Sequence, residues 1–176
     1  MARVVTDSSA LILLARCTLL EIACEIFEIS APSAVVSEVA SETMVKKYPD
    51  AALISDLISK GSIRVQDPGA TKTHLSISLH HGEKQALLLA LNMEGSIFAT
   101  DDGKAIKAAR FLRVPFIITP KLVVELFRLQ KISFKKGRGS LEKLGKIGRY
   151  SPEIIADALV SLMEEKNGKT NNHKNT

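Results

Sequence analysis

The sequence has few of the residues that build stacking surfaces, disulfide frameworks or membrane spans. It contains no Trp and two Tyr, so an RNA-binding sheet with exposed stacking aromatics is poorly supported. Its two cysteines, Cys17 and Cys24, are seven residues apart. On one helix that spacing would separate them by about 10 Å, too far for a disulfide, and two cysteines are too few for a structural zinc site. No early apolar run approaches the roughly 20 residues needed to span a bilayer, so no membrane association is expected.

The bulk composition is typical of a folded protein of modest size. The chain has 176 residues, of which 45% are hydrophobic and 24% charged, and this fits one core with a small appendage. The N-terminus carries one Arg, and Asp7 interrupts it before any long apolar run. No secretory signal is therefore expected, and the protein is predicted to be cytoplasmic.

Positive charge is concentrated in one segment near the C-terminus. The formal net charge of the chain is +5, but residues 131–149 hold seven basic side chains and one acid, a net charge of +6, so the rest of the chain has a net charge of −1. Within this segment Lys135, Lys136 and Arg138 are candidate RNA contacts, because basic side chains neutralise phosphates. A solvated loop, broken up by four glycines, is an equally good interpretation.

Short apolar runs alternate with helical periodicity along most of the chain. This alternation predicts an α/β fold with a mostly parallel central sheet and helices on its faces. The predicted division is a core over residues 1–130, a basic extension with an amphipathic helix over 131–166, and a disordered polar tail over 167–176. Strands are predicted at residues 3–6, 25–30, 62–65, 96–99 and 114–118, and helices at 10–15, 19–24, 32–46, 50–60, 85–93, 104–112, 120–129 and 153–165.

Acidic residues follow several of the predicted strands. In parallel α/β sheets, ligands bind beyond the carboxyl ends of the strands. If the strands at 3–6 and 96–99 are neighbours, their acids meet at one edge, and such a cluster is costly without a cation. Oxygen ligands without His or Cys favour Mg²⁺ or Mn²⁺. The residues concerned are Asp7, Glu38, Glu83, Asp101 and Asp102.

Each acid also has a purely structural interpretation. Asp7 and the Asp101–Asp102 pair are suited to capping helices. Glu38 could form an i, i+4 ladder with Glu42 and Lys46 on a solvated helix face. Glu83 could favour the positive end of its helix, and the adjacent His80–His81 pair is also expected to cap or lie at the surface.

The order and spacing of these motifs resemble the PIN domain. The matching pieces are Thr6-Asp7-Ser8-Ser9, then Pro32 with Glu38, then Gly82 to Ala86, then Ala99 to Asp102. The sequence is similar in particular to the prokaryotic branch DUF3368, many of whose members resemble VapC-type toxins, and the likeness covers roughly residues 3–165. It implies a three-layer α/β/α sandwich and a Mg²⁺- or Mn²⁺-dependent endoribonuclease.

The resemblance also implies roles for individual residues. It makes Asp7, Glu38, Glu83 and Asp102 the four catalytic acids, with Asp7, Glu83, Asp101 and Asp102 as metal ligands and Ser9 and Thr100 as supporting hydroxyls. Glu83 departs from the Asp that most PIN domains have at the third position. Glu38 is expected to orient or deprotonate the attacking water.

The resemblance implies partners as well, and other functions stay open. An RNA substrate, a small antitoxin protein and a homodimer are expected. One alternative is a catalytically inactive PIN-fold module that binds RNA or protein. Another is an RNA-processing enzyme or structure-specific DNA nuclease of the same fold, because a phosphodiester site looks alike for both nucleic acids.

Overall fold

A five-stranded parallel sheet forms the centre of the fold in the computed structural model, which describes residues 1–69 and 78–172, without the side chains of 169–172. Its strand order is β3-β2-β1-β4-β5, and every pairing is parallel. The α/β fold class predicted from the sequence is confirmed. The strands are β1 (Ala2–Thr6), β2 (Phe27–Ala31), β3 (Ile63–Val65), β4 (Ser96–Ala99) and β5 (Phe116–Ile117).

Helices flank the sheet and supply most of its covering apolar surface. β1 lies at the centre, with Val4 and Val5 buried, and Phe98 of β4 is fully buried beside it. These β-branched and aromatic side chains suit a strand covered on both faces. The helices up to residue 118 are α1 (Ser8–Arg16), α2 (Leu20–Ile26), α3 (Ser33–Val39), α4 (Glu42–Lys47), α5 (Pro49–Ser59), α6 (His81–Asn92) and α7 (Gly103–Phe111).

The chain divides into two compact units, Met1–Ile118 and the part from Thr119 onward. The second unit consists of α8 (Thr119–Arg128), α9 (Phe134–Ile147) and α10 (Pro152–Asn172). This division groups α8 with the C-terminal helices, whereas the division predicted from the sequence placed it with the sheet. Within residues 1–69 and 78–172, no helix is long and apolar enough to cross a membrane.

Three predicted boundaries in the first unit are wrong. The strand predicted at 25–30 begins only at Phe27, because Glu25 and Ile26 complete α2, whose last hydrogen bond runs from Phe27 N–H to Ala23 O. The helix predicted over 32–46 is broken after Val39, and a new helix begins after the extended residue Ser41. The strand predicted at 114–118 is only two residues long.

The glycine-rich basic segment is the largest correction. It was predicted to be broken up by its glycines, but residues 134–147 form one continuous helix, α9, capped by the Ser133 hydroxyl. Gly137 lies against α10, where an added Cβ would sit 3.1 Å from a methyl carbon of Leu162. Close packing against α10 therefore accounts for this glycine and offsets its low helix propensity.

The last helix is longer than the sequence predicted. α10 continues to Asn172, although the polar stretch from residue 167 was predicted to be a disordered tail. Each added residue extends a helix by one backbone hydrogen bond without a new nucleation cost, so a polar sequence can continue an existing helix. The predicted tail residues 173–176 lie outside the described residues.

Candidate active site

Asp7 lies at the end of the central strand and begins the first helix. Its backbone N–H donates to Ala99 O at 3.2 Å, which extends the β1–β4 pairing by one residue. Its side chain is 1% exposed and caps α1, with Oδ1 accepting from Ala10 N at 3.0 Å. The capping role expected of Asp7 is therefore present, and the same geometry fixes the carboxylate at the carboxyl edge of the sheet.

Two hydroxyls hold the Asp7 carboxylate and join it to the chain after β4. Ser9 Oγ donates to Asp7 Oδ1 at 2.7 Å and accepts from the backbone N–H of Asp101 at 3.0 Å. Thr100 Oγ1 donates to Asp7 Oδ2 at 2.5 Å and accepts from the backbone N–H of Asp102 at 3.2 Å. The structure thus brings Asp7, Asp101 and Asp102 to one edge, because β1 and β4 are neighbours.

Burial makes the Asp7 carboxylate unusually basic. Desolvation is the largest influence and raises its pKa from 3.8 to about 6. The hydrogen bonds from Thr100, Ser9 and Ala10 oppose this increase, and the negative charge of Asp101 adds to it. A buried carboxylate beside a second acid is a position where a bound cation would lower the electrostatic cost.

Glu38 connects the first turns of two other helices. One oxygen, Oε1, accepts from Gly82 N at 3.1 Å at the start of α6, and Oε2 accepts from the Ser8 hydroxyl at the start of α1. The ladder with Glu42 and Lys46 that the sequence allowed is absent, because α3 ends at Val39 and these residues belong to another helix. Glu38 instead reaches the start of α1, the helix that Asp7 caps, as well as the start of α6.

Glu83 and Asp102 both serve helix termini. Glu83 Oε2 accepts from the backbone N–H of His80, the residue that precedes α6, at 3.0 Å. Asp102 precedes α7, and its Oδ1 accepts from the backbone N–H groups of Lys104 at 2.8 Å and Ala105 at 2.9 Å. The structural interpretation of each residue is therefore realised, since acids are favoured at helix N-termini.

The carboxylates do not form a closed metal cage. Among the residues that the structure describes, no group of three or more His, Cys, Asp or Glu side chains could hold a metal ion. Mg²⁺, however, is usually bound by one or two carboxylates and several waters. The buried Asp7 carboxylate with Asp101 beside it fits that requirement, and its oxygen-only chemistry favours Mg²⁺ or Mn²⁺ over zinc.

The candidate RNA contacts lie on α9 and not on a loop. Lys135 is exposed near the start of the helix, and Lys136 is half-buried. Arg138 donates from Nε to Glu142 Oε1 at 2.8 Å, one turn further along. This ion pair partly neutralises Arg138.

Ser8 and Gly82 contact a candidate acid, and the sequence pattern does not predict either contact. Each stands within a motif, Thr6-Asp7-Ser8-Ser9 or Gly82 to Ala86, in which the acid is the chemically reactive residue. Their contacts with Glu38 span 30 and 44 residues, so neither helical period nor motif spacing reveals them. The one signal was their position immediately next to Asp7 and Glu83.

Comparison with known families places most of the chain in a described family. Residues 3–165 match the family model DUF3368, which is described as a PIN domain. No curated protein and no solved structure matches the chain.

Proposed function

The chain belongs to the PIN domain family, whose members are generally nucleases, and we propose that it is a Mg²⁺- or Mn²⁺-dependent endoribonuclease. The family predicted from the sequence motifs is confirmed. The observation that carries the proposal is the Asp7 carboxylate, 1% exposed, held by two hydroxyls at the edge of the sheet and next to Asp101. A purely structural cap does not need a second acid beside it.

The proposed role of each acid follows from its position. Asp7 and Asp101 would hold the metal ion, with Asp102 and Glu83 as further ligands at adjacent helix starts. When bound, the ion would activate water and neutralise charge on the scissile phosphate. Ser9 and Thr100 fix both oxygens of Asp7, so this carboxylate loses little freedom on binding.

Glu38 is the proposed residue for orienting or deprotonating the attacking water. Its side chain is exposed, unlike that of Asp7, so water can reach it. Its two oxygens are each held by one donor, Ser8 or Gly82, and each oxygen keeps a lone pair for a further hydrogen bond. A positioned carboxylate of this kind contributes about 10²- to 10⁴-fold to the rate of a hydrolytic step.

A second candidate function is a PIN-fold module that binds RNA or protein without cleaving it. The capping roles of Glu83 and Asp102 favour it, because these contacts account for both side chains without catalysis. The two candidates differ in one respect: only the nuclease requires the charge of Asp7.

Cleavage of a nucleic-acid panel separates the candidates. We expect the protein to cut single-stranded or hairpin RNA with Mg²⁺ or Mn²⁺ and not with EDTA. Asp7→Asn should reduce cleavage by at least about a hundredfold while the circular dichroism spectrum stays unchanged. Asp56→Asn is the matched control, because this exposed carboxylate pairs only with Lys60 on α5 among the contacts described. Equal cleavage by wild type and Asp7→Asn would refute the nuclease, and cleavage confined to DNA would identify the other substrate.

We further propose that the protein is a cytoplasmic toxin held in check by a small antitoxin, and that it forms homodimers. The family assignment supports this role, and the exposed apolar side chains Val160 and Met163 on α10, each 55% exposed, could take part in a contact. Expression of the wild type should arrest growth of a bacterial host, and Asp7→Asn should not. Light scattering of the purified protein reports the oligomeric state.

A further inference from the structure

The carboxylate of Glu38 occupies the space that a side chain on Gly82 would fill. A Cβ built on Gly82 would lie 2.5 Å from Glu38 Oε1, 2.7 Å from Oε2 and 2.8 Å from Cδ. Real Cβ contacts essentially never fall below 3.0 Å. Any other residue at position 82 would therefore displace the carboxyl group of Glu38.

The backbone gives no other reason for a glycine at this position. Gly82 is the second residue of α6 and has no left-handed φ, unlike Gly61 and Gly95. Alanine is the better helix former by about 1 kcal/mol at interior positions. The three nearest atoms all belong to the far end of a flexible side chain, so the fold can accept a methyl group if Glu38 moves.

Glu38 is also held from the other side. The Ser8 hydroxyl donates to Oε2 while the Gly82 N–H donates to Oε1, so the two donors fix the plane of the carboxyl group between the starts of α1 and α6. With Gly82 replaced, the Oε1 contact is lost and the group turns away from its position. Loss of one such contact from a catalytic carboxylate lowers the rate without affecting binding of a long substrate elsewhere.

We propose that Gly82 is a positioning residue for Glu38. Its lack of a side chain leaves room for the Glu38 carboxylate, and its N–H orients that carboxylate. This inference rests on the proposed nuclease function. It predicts that Gly82→Ala leaves the fold intact, lowers kcat for RNA cleavage about 10- to 100-fold, and leaves KM within a few-fold of wild type.

The rescue experiment uses the shorter acid. Glu38→Asp alone should be impaired, but in Gly82→Ala/Glu38→Asp the carboxyl group retracts by one methylene and no longer meets the new methyl group. The double variant should therefore be no less active than Glu38→Asp alone. Gly103→Ala is the matched control, because it also lies in the first turn of a helix but a Cβ there would meet nothing within 4 Å. The proposal would be overturned if the loss of activity in the double variant equalled the product of the two single losses. It would also be overturned if Gly82→Ala kept the kcat of the wild type.

A second readout does not depend on activity. The Gly82 amide resonance should move upfield in Glu38→Ala, because the hydrogen bond to a carboxylate is lost, and should stay in place in Glu42→Ala. An unmoved resonance in Glu38→Ala would overturn the positioning role. If the wild type cleaves no RNA, the nuclease proposal fails. The Gly82 resonance alone then decides whether the Gly82 N–H donates to the Glu38 carboxylate.

Discussion

At the scale of single residues, the Asp7 carboxylate combines a structural contact with an unfavourable charge. Its hydrogen bonds cap α1 and, through the Ser9 and Thr100 hydroxyls, connect the end of β1 to the segment after β4. Neutral groups could make several of these bonds, so they do not explain an ionisable group that is 1% exposed. Burial of an unpaired charge is costly, and a bound cation would relieve that cost.

The stability of the metal-free protein should therefore depend on the ionisation of Asp7. Its folded pKa of about 6 exceeds the ordinary value of 3.8, so the folded state holds the proton more tightly than the unfolded state. The favourable contribution of Asp7 protonation to the free energy of unfolding is complete below pH 3.8, and it is lost as the pH rises to 6 and above. The loss amounts to about 3 kcal/mol in the free energy of unfolding.

Urea denaturation in EDTA between pH 4 and 7 measures this contribution. Other acids also titrate, so the relevant quantity is the difference in free energy of unfolding between wild type and Asp7→Asn. As the pH rises, the free energy of unfolding of the variant should increase relative to that of the wild type. Mg²⁺ at pH 7 should stabilise the wild type and not the variant. A difference that stays constant with pH would contradict the assignment.

At the scale of elements, the sequence was most informative where a strand leads directly into a helix start. The run SIFA followed by Thr100 to Asp102 predicted β4 and the position of its acids, and both predictions of placement agree with the structure. The contact of Glu38 with Ser8 and Gly82 could not be predicted, because it depends on how α3 packs beside α1 and α6. Local spacing carries no information about such tertiary contacts.

Helix α9 shows why glycine content misleads. Residues 134–147 include three glycines, and propensity alone favours a loop. The buried residues Gly137, Leu141 and Leu144 nevertheless recur at helical spacing, so packing outweighs propensity. The periodicity was present in the sequence, but the glycines obscured it.

A pair of glycine substitutions tests this explanation. Gly139→Ala, with nothing within 4 Å of an added Cβ, should raise the free energy of unfolding by up to about 1 kcal/mol through helix propensity. Gly137→Ala should gain less, because its methyl group would lie 3.1 Å from Leu162. Gly137→Val should destabilise by about 1–3 kcal/mol through overpacking. Thermal or urea unfolding measures all three, and equal gains at positions 137 and 139 would refute close packing as the reason.

At the scale of the whole molecule, charge and candidate chemistry fall into different units. All five candidate acids lie in Met1–Ile118, whereas the segment 131–149 with a net charge of +6 lies in the unit that begins at Thr119. The modest overall charge of +5 conceals this separation. If the proposed function holds, catalysis and attraction of a polyanion are separable, and substitutions in one unit at a time test this.

The lysines of α9 provide the test. Lys135→Ala/Lys136→Ala should weaken RNA binding and raise KM while kcat is retained, since neither residue contributes to the acidic edge. If both lysines neutralise phosphates of a single strand, the slope of log K against log salt should become shallower by about 1.4. Lys46→Ala/Lys47→Ala is the matched control, because it removes the same charge from an adjacent exposed pair on α4. Binding titrations on Asp7→Asn, the variant expected not to cleave, keep the RNA intact. Equal slopes for the α9 and α4 variants would show that α9 acts only through net charge.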